Sequence, residues 1–397
     1  MATIVISPYR ATKYLDRAGN FWVYLQYALG LQAVGSDVWW LERLERPGEG
    51  SRAGIDAPPA EQASLLSDAL ARFGISNAPI LYTTEGEDAE HFEPTYVGIG
   101  ARQAESVFRR ADALLNFHQR IHPELLARFQ RTALVDIDPG LLQYWMSSGQ
   151  LQIPDHDVYL TIGETVGTPA AGFPDCGRAW VHIRPPVFLN QWPFTPHRAP
   201  APFTTVSSWY SSEYILEGDG YWDNNKRASW LSFAELPRLT DQPLELATYF
   251  GSKDASERQL LETHGWRVRH AGDVANTPER YRSYIQSSRG EFSCAKPSCS
   301  RFQNAWISDR TLCYLASGKP AVVQDTGPSS VPDGGGLHRF STIEEAAAAI
   351  AEVNASYNQN CRAARDIAET YFDATRVASR IVETVLGAKA RRPRDRA

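Results

Sequence analysis

The sequence predicts an α/β protein made of two Rossmann-like domains. Short apolar runs alternate with amphipathic segments along most of the chain, which is the pattern of parallel strands joined by helices. The chain has 397 residues, enough for two domains that each bury a core. Six prolines between 185 and 202 interrupt the alternation. We expect the domain boundary there, because proline stiffens a linker and blocks regular structure.

The first half opens with a βαβ unit. Residues 3–7 (TIVIS) are a short apolar run typical of a buried parallel strand. The apolar spacing of 21–35 predicts a helix that ends at Gly35, since glycine readily takes the left-handed conformation after a helix. Residues 37–44 are the next strand. The alternation continues with predicted strands at 78–84, 112–118, 132–138 and 156–164, and predicted helices at 61–74, 102–111, 123–130 and 140–149.

The second half repeats this alternation, starting from a strand at 203–209. Residues 210–227 are polar and aromatic, as in a long loop. The helix predicted at 277–288 has Thr277 in the N-cap position and Pro278 in its first turn. The other predicted strands are 244–250, 266–272, 290–296 (a short strand or turn), 320–326 and 337–342, and the other predicted helices are 256–265, 308–318, 343–353, 357–372 and 375–386. The basic tail, 388–397, has no apolar periodicity and is expected to fray.

Composition narrows the class of function. The net charge is -6, which disfavours a nucleic-acid partner because a duplex-binding protein needs a basic face. No apolar run reaches the length of about 18 residues that a membrane span needs. The N-terminus lacks the features of a signal peptide, so we expect a cytoplasmic protein. The five cysteines are scattered, and their spacing predicts free thiols and no metal site.

Two common nucleotide-binding signatures are missing from the sequence. No GxxxxGK[ST] motif occurs, which argues against a P-loop kinase, and no GxGxxG follows the first strand, which argues against a nicotinamide dehydrogenase. The GGG at 334–336 precedes a predicted strand instead of following one, so it is a weak candidate for phosphate binding.

The first candidate site is the charged loop after strand 3–7. A glycine beside a helix N-terminus suits an anion or sugar hydroxyls, and a simple tight turn is the alternative. The candidate residues of this loop are Arg10, Lys13, Asp16, Gly19 and Asn20.

Three residues at predicted strand ends are candidates for catalysis. Asp138 precedes Pro139 at the carboxyl edge of the sheet, where ligands of parallel sheets bind. A carboxylate there can accept a proton or hold a sugar, and an Asx-turn or helix cap is the alternative. Glu164 ends the next strand in the same way. His118 ends strand 112–118, although a lone histidine more often has a structural role.

The segment 289–327 combines cations, carboxylates and two strand–helix junctions. A nucleoside diphosphate needs cations and N–H donors for its phosphates, and carboxylates for hydroxyl groups. A solvated surface with salt bridges is the alternative. The candidate donor-binding residues here are Arg289, Glu291, Ser293, Lys296, Arg301, Asp309 and Arg310.

Part of this segment, 308–327, resembles the C-terminal half of GT-B glycosyltransferases, in which a helix ends in a small-x-Gly sequence and a Pro-Val-Val strand follows. The matching residues are Ala316, Gly318, Pro320, Val322 and Val323.

Two further stretches resemble the same family. Residues 290–296 (GEFSCAK) look like the glycine-acidic turn that faces the donor sugar in its GT-4-like branch, and Gly19, Asn20 and Phe21 look like its acceptor-side loop. Two positions depart from the pattern. The family's ribose-binding glutamate is Cys313 here, with Asp309 one turn earlier. Lys253 alone represents the Arg/Lys pair expected after the first C-terminal strand.

The resemblance implies transfer of a sugar from a nucleotide-diphosphate donor, UDP for example, to a hydroxyl-bearing small molecule or glycan, in a cleft between two domains. Residues 201–374 would bind the donor and 1–200 the acceptor, and helix 375–386 would cross back onto the N-terminal domain. Glu291 would orient the donor sugar, and Lys296 with Arg289 or Arg301 would neutralise the diphosphate. The nucleotide sugar would be a co-substrate, and neither a metal nor another cofactor is implied. The resemblance also suggests a bacterial source.

Three other functions stay open from the sequence. An epimerase of the same architecture would bind a nucleotide sugar without an acceptor. A two-lobed binding protein would turn nothing over. Glycosylation of a nucleic-acid base would need a local basic cleft. The donor sugar and base, the acceptor, the stereochemical outcome and the oligomeric state, a homodimer included, are also left open.

Overall fold

The fold is that of a computed structural model, which describes residues 1–46, 55–86, 90–196, 200–211, 214–217 and 220–388. The chain divides into two compact units. The first unit contains Met1–Ile162, Pro174–Phe188 and the chain from Ala374 onwards, and the second contains Gly163–Phe173 and Leu189–Asp373. The predicted basic tail lies outside the described residues from 389 onwards.

An eight-stranded sheet forms the centre of the first unit. Its strand order is β4-β3-β2-β1-β5-β6-β7-β8, and neighbouring strands are parallel except β3 and β4. Its inner strands are buried because helices cover both faces, whereas the strands at its two edges, β4 and β8, are partly exposed. The strands are β1 (Thr3–Ser7), β2 (Asp37–Arg43), β3 (Ile80–Thr83), β4 (Thr95–Val97), β5 (Ala113–Asn116), β6 (Thr132–Asp136), β7 (Val158–Thr161) and β8 (Trp180–His182). The helices between them are α1 (Ala18–Ala33), α2 (Pro59–Arg72), α3 (Ala101–Arg110), α4 (Pro123–Leu126) and α5 (Leu141–Ser147).

A six-stranded parallel sheet forms the centre of the second unit, in the order β13-β12-β9-β14-β15-β16. A separate antiparallel hairpin, β10-β11, follows β9 in the chain. The strands are β9 (Phe203–Ser207), β10 (Tyr214–Glu217), β11 (Gly220–Asp223), β12 (Leu244–Thr248), β13 (Arg267–His270), β14 (Gly290–Ser293), β15 (Ala321–Gln324) and β16 (Leu337–Phe340). The helices are α6 (Lys226–Ser232), α7 (Ala255–His264), α8 (Ala271–Val274), α9 (Pro278–Ser287), α10 (Pro297–Phe302), α11 (Asp309–Ala316), α12 (Ile343–Ala355) and α13 (Tyr357–Ile367).

The last helix, α14 (Ala374–Gly387), packs against α1 in the first unit. A Cβ atom on Gly30 would lie 2.6 Å from the carbonyl oxygen of Ala374, so this close approach needs a glycine. The backbone N–H of Ala374 donates to the oxygen of Val187 at 3.0 Å. The Arg131 guanidinium donates to the oxygen of Val385 at 3.0 Å, which ties the end of α14 to the start of β6.

The predicted α/β class is confirmed, and most of the predicted strands and helices are present. Three residues that were predicted to end or cap helices do so. Gly35 and Gly265 follow α1 and α7 with φ of +82° and +103°. The Thr277 hydroxyl caps α9 by accepting from the N–H of Arg280 at 3.2 Å. No described helix is long and apolar enough to cross a membrane.

Two predictions of secondary structure were wrong. Residues 210–227 are not one long loop, because they include the hairpin β10-β11 and the start of α6. Ile215 in this hairpin is buried and pairs with Trp222, so the segment has a core contact that its polar composition conceals. The helix predicted at 123–130 is only the single turn α4, and β4, β8 and α10 were not predicted.

Candidate functional site

The second unit gathers three cations on segments that follow its strands. Lys226 is the first residue of α6, reached from β9 through the hairpin. Lys296 follows β14 and is the N-cap residue of α10, and Arg310 lies in the first turn of α11. Strands β9 and β14 are parallel neighbours, so the segments after them leave from the same edge of the sheet. Ligands of parallel α/β sheets bind at that edge.

Lys226 is the most unusual of the three cations. Its side chain is buried, and its Nζ lies 5.5 Å from the centre of the Trp306 ring. Burial, which is the largest cause, and the positive charges of Arg310 and Lys296 together lower the pKa of Lys226 to about 8, while Asp309 acts in the opposite direction. A buried lysine held among like charges is a mark of a binding site for an anion.

Glu291 fixes the position of Arg310. The Arg310 Nε donates to Glu291 Oε1 at 2.7 Å, and its Nη1 donates to the oxygen of Val206 at 2.9 Å. Glu291 is 0% exposed, because it lies within the buried strand β14. Its carboxylate therefore positions a guanidinium, and contact with a donor sugar is not required to explain it.

The loop between α10 and α11 holds Trp306 over Lys226. Gln303 and Ala305 in this loop have φ of +52° and +56°, a left-handed conformation that costs a non-glycine residue about 1–2 kcal/mol. Thr326 stabilises it, since its carbonyl accepts from the N–H of Ala305 at 2.8 Å and its hydroxyl donates to the oxygen of Trp306 at 2.6 Å. Strain of this kind concentrates at functional sites.

The start of α11 presents backbone donors near the same cations, whereas one N–H at the start of α10 is already bonded. Asn224 is fully buried, and its Oδ1 accepts from the N–H of Ser298 at 2.8 Å, in the first turn of α10. Ser308 is the N-cap residue of α11, and within the described residues its side chain makes no capping hydrogen bond. The N–H groups at the start of α11 are therefore oriented next to Arg310, as in anion sites at helix N-termini.

Arg289 does not belong to this cluster. It precedes β14, at the amino end of the strand, whereas Lys296 follows the carboxyl end. Its Nε donates to Asn354 Oδ1 at 2.8 Å, and its guanidinium lies 3.7 Å from the centre of the Tyr357 ring. The structure therefore does not bring Arg289 together with Lys296, because the strand separates the two residues.

The other predicted donor residues have less direct roles. Arg301 lies over the Trp222 ring of the hairpin at 4.8 Å. Ser293 is the buried last residue of β14. Lys253 is exposed after β12, the second strand of this unit in chain order. The lysine that follows the first strand, β9, is Lys226, which the sequence reasoning missed. In the sequence, the only signal for Lys226 as a binding residue was its position at the start of an amphipathic stretch.

Glu164 belongs to the second unit, whereas Asp138 belongs to the first. The Glu164 Oε2 accepts from the N–H of Ser330 at 2.9 Å and from the Ser330 hydroxyl at 2.7 Å, and its Oε1 accepts from the Ser329 hydroxyl. Through these three hydrogen bonds Glu164 anchors the loop after β15. A catalytic role for Glu164 stays a prediction.

Asp136 and Asp138 form the turn at the end of β6. Asp136 is buried and accepts from Gln143 Nε2 and Thr161 Oγ1, both at 2.8 Å. Burial raises its pKa to about 7. It also accepts from the N–H of Asp138 at 3.0 Å, so Asp136 makes the Asx-turn here, whereas the sequence offered an Asx-turn as the alternative role of Asp138. Asp138 itself is partly exposed beyond the strand.

The loop after β1 lies beside His118. Helix α1 begins at Ala18, so Gly19 and Asn20 lie in its first turn. The sequence analysis had placed them in the loop before the helix. Burial raises the pKa of Asp16, against the effect of Arg17 and Lys13. Arg10 and His118 line a pocket of about 10 Å³, room for about one water molecule, together with Pro8, Tyr9, Arg43 and Glu45.

No family model matches the chain, and no curated protein matches it. Solved structures do. Sucrose-phosphate synthase from Thermosynechococcus elongatus has 13% identity and a TM-score of 0.56, with 97% of this chain and 98% of that chain covered. AviGT4, a glycosyltransferase involved in avilamycin A biosynthesis, has 13% identity and a TM-score of 0.54 over 98% and 99%. HepE from Anabaena, in complex with UDP and glucose, has 10% identity and a TM-score of 0.53 over 98% and 100%. The protein therefore has the GT-B glycosyltransferase fold.

Proposed function

We propose that the protein is a glycosyltransferase that takes a sugar from a nucleotide-diphosphate donor bound to the second unit. The observation that carries this proposal is the group of Lys226, Lys296 and Arg310, of which Lys226 is buried and has a lowered pKa. Cations that repel one another in the absence of a ligand are stabilised most by a diphosphate that binds between them. HepE, which has the same fold, binds UDP and glucose, so UDP-glucose is the first donor to test.

The chemistry follows from where charge develops. The bond between the anomeric carbon and the diphosphate oxygen breaks, and the electron pair stays on the diphosphate. Lys226, Lys296 and Arg310 would stabilise that charge more in the transition state than in the ground state, because their positions are fixed in advance. Glu291 holds Arg310 in place throughout. These side chains supply the positive charge, so the proposal includes no metal or other cofactor.

The acceptor side of the proposal concerns the first unit. The hydroxyl that attacks the anomeric carbon must lose a proton to a base. His118, which lines the pocket beside Arg10, and the partly exposed Asp138 are the candidates. Asp136 is excluded because its two oxygens already accept three hydrogen bonds. The acceptor would be a hydroxyl-bearing small molecule or glycan.

A thermal-shift screen against UDP, GDP, TDP and CMP tests the donor site, in buffer with EDTA and again with Mg²⁺. A nucleotide present at a hundred times its dissociation constant stabilises the native state by about 2.7 kcal/mol. We expect one nucleoside diphosphate to raise the melting temperature equally in both buffers. Lys226→Met should reduce the shift to about half or less. Lys253→Met should leave it unchanged, since Lys253 is an exposed lysine of the same unit.

Turnover then separates the remaining functions. Consumption of the nucleotide sugar only when an acceptor is added would support transfer, whereas conversion without an acceptor would indicate an epimerase. If no nucleotide shifts the melting temperature, or if Lys253→Met loses as much as Lys226→Met, the proposed donor site is wrong.

A further inference from the structure

A groove of about 490 Å³ lies on the first unit, next to the turn that follows β5. One wall consists of residues 120–124, which lead from that turn into α4, and the other consists of residues 150–154, which follow α5. Sites for small molecules have volumes of about 300–1,000 Å³. The groove is therefore large enough to hold an organic ligand.

A buried asparagine ties the first wall to the turn that carries His118. Asn116, the last residue of β5, accepts from the backbone N–H of His118 at 2.9 Å and donates to the His118 carbonyl oxygen at 3.0 Å. The N–H of Ile121 donates to the same carbonyl oxygen at 3.2 Å. The wall therefore starts within one turn of the imidazole that we propose as the base.

The second wall is tied to the same asparagine through His156. Asn116 Nδ2 lies 2.9 Å from His156 Nε2, and His156 Nδ1 lies 2.7 Å from the carbonyl oxygen of Pro154. Because the amide nitrogen is a donor, Nε2 accepts and Nδ1 donates. Asn116 and His156 are both fully buried. One buried network thus holds both walls and His118 in place before a ligand binds.

The lining of the groove combines buried apolar residues with hydrogen-bonding side chains. Ile121 and Leu151 are buried, whereas Gln152 is exposed and Gln150 is half-buried. A side-chain amide both donates and accepts hydrogen bonds, as the hydroxyl groups of a sugar do. A sugar ring also has C–H groups that suit an apolar surface. This combination therefore favours a carbohydrate.

The charged residues of the lining favour a ligand without net charge. Glu90 and Glu124 contribute carboxylates, and Arg120 contributes a guanidinium. His122 Nδ1 accepts from the N–H of Glu124 at 3.2 Å, which requires that this nitrogen is unprotonated. The pKa of Glu124 is lowered because its carboxylate accepts from the N–H of Phe92 at 3.3 Å, so it stays ionised and can accept from a hydroxyl. An anionic ligand would gain no net attraction from these side chains.

We propose that this groove binds the second sugar unit of an uncharged glycan acceptor, whose first unit presents its reacting hydroxyl to His118. Ile121 and Leu151 would contact the ring, and Gln150, Gln152 and Glu124 would bind its hydroxyl groups. The inference rests on the proposed glycosyltransferase function, and it narrows the acceptor from any hydroxyl-bearing molecule to a neutral oligosaccharide.

Calorimetric titration of the full chain tests the groove, first without nucleotide and then with saturating UDP. The probes are maltose, cellobiose and lactose, their units glucose and galactose, and maltose 1-phosphate. We expect at least one disaccharide to bind about tenfold or more tightly than either of its units, which corresponds to about one to two added hydrogen bonds. Maltose 1-phosphate should bind no more tightly than maltose, and tighter binding would overturn the assignment of an uncharged acceptor.

Variants locate the preference for a disaccharide. Gln150→Ala combined with Gln152→Ala should reduce it to about threefold or less, with monosaccharide affinity and melting temperature unchanged. Gln130→Ala, which changes an exposed glutamine of the same unit outside the groove, should keep it.

Two outcomes would overturn the groove and leave the donor site intact. The first is equal affinity for disaccharides and their units in a wild-type protein that binds UDP, and the second is an equal loss of preference in the double variant and in Gln130→Ala. A preference for a disaccharide in a protein that does not bind UDP would instead support the groove and contradict the donor site.

Discussion

Replacing Lys226 with methionine should weaken UDP binding and stabilise the free protein at the same time. The pKa of Lys226 falls from 10.5 to about 8, which corresponds to about 3 kcal/mol of unfavourable interaction for the charged form. Below pH 8 the folded protein bears this cost in full, and the cost disappears as the pH rises from about 8 towards 10.5. Methionine keeps the packing against Trp306 without the charge. The free energy of unfolding at pH 7 should therefore rise by up to about 3 kcal/mol.

Affinity for UDP should change in the opposite direction. Losing one charge-assisted contact with a diphosphate costs about 1.5–3 kcal/mol, so the dissociation constant at pH 7 should rise about 10- to 100-fold. A residue with a purely structural role would lose stability and affinity together. The opposite signs are what identify Lys226 as a ligand-binding residue.

Proton uptake provides a more direct measurement. At pH 8 about half of the free protein carries a protonated Lys226, and a bound diphosphate would keep it fully protonated. Calorimetry in Tris and in Hepes should therefore report an uptake of about half a proton per UDP. Lys226→Met should show none, and Lys253→Met should match the wild type. Equal uptake in wild type and Lys226→Met would refute the assignment.

Three further predictions concern single residues. His118→Gln should lower kcat by about 100-fold or more, while the dissociation constant of UDP stays unchanged. If turnover and binding assays showed equal losses of kcat and of UDP affinity, this would contradict a role of His118 as the base. Glu291→Gln should lower the free energy of unfolding by about 3 kcal/mol in urea titration, because it leaves the buried Arg310 charge without its counterion, and a neutral effect would show that this pair is dispensable. Gly290→Ala should lower the free energy of unfolding by about 1–3 kcal/mol, since its Cβ would lie 2.7 Å from the Pro320 oxygen. The control is Gly100→Ala, whose Cβ would have nothing within 4 Å, and it should lower the free energy of unfolding by less than about 1 kcal/mol.

Local signals in the sequence account for most of the fold. Strand β1 is a short apolar run, α1 and α7 are followed by glycines, and α9 begins at a threonine cap, so the bounds of these elements depend on neighbouring residues only. The hairpin β10-β11 was missed for the opposite reason. Its stability comes from the burial of Ile215 and from contacts such as that of Trp222 with Arg301, about 80 residues further along the chain. Polar composition alone predicted a loop there.

The candidate site was only partly predictable. Lys296 and Arg310 were found because they lie in one charged segment that follows strands. Lys226 was missed because the residues that bury it and shift its pKa, Trp306 and Arg310 among them, come from distant positions in the sequence. Arg289 was grouped with Lys296 because the two are close in sequence, but they lie at opposite ends of β14 and so at opposite edges of the sheet.

Several features that destabilise the second unit lie around Lys226. Arg310 and Lys296 repel it, Glu291 is buried to hold Arg310, and the left-handed Ala305 belongs to the loop that carries Trp306 over it. Each of these costs free energy in the absence of a ligand, and an apolar core at the same place would cost none. A fold selected only for stability would not gather them on one edge of a sheet. A bound polyanion offsets the repulsion among these cations and gives the buried Lys226 a counterion, and this explains why these costs occur together at one place.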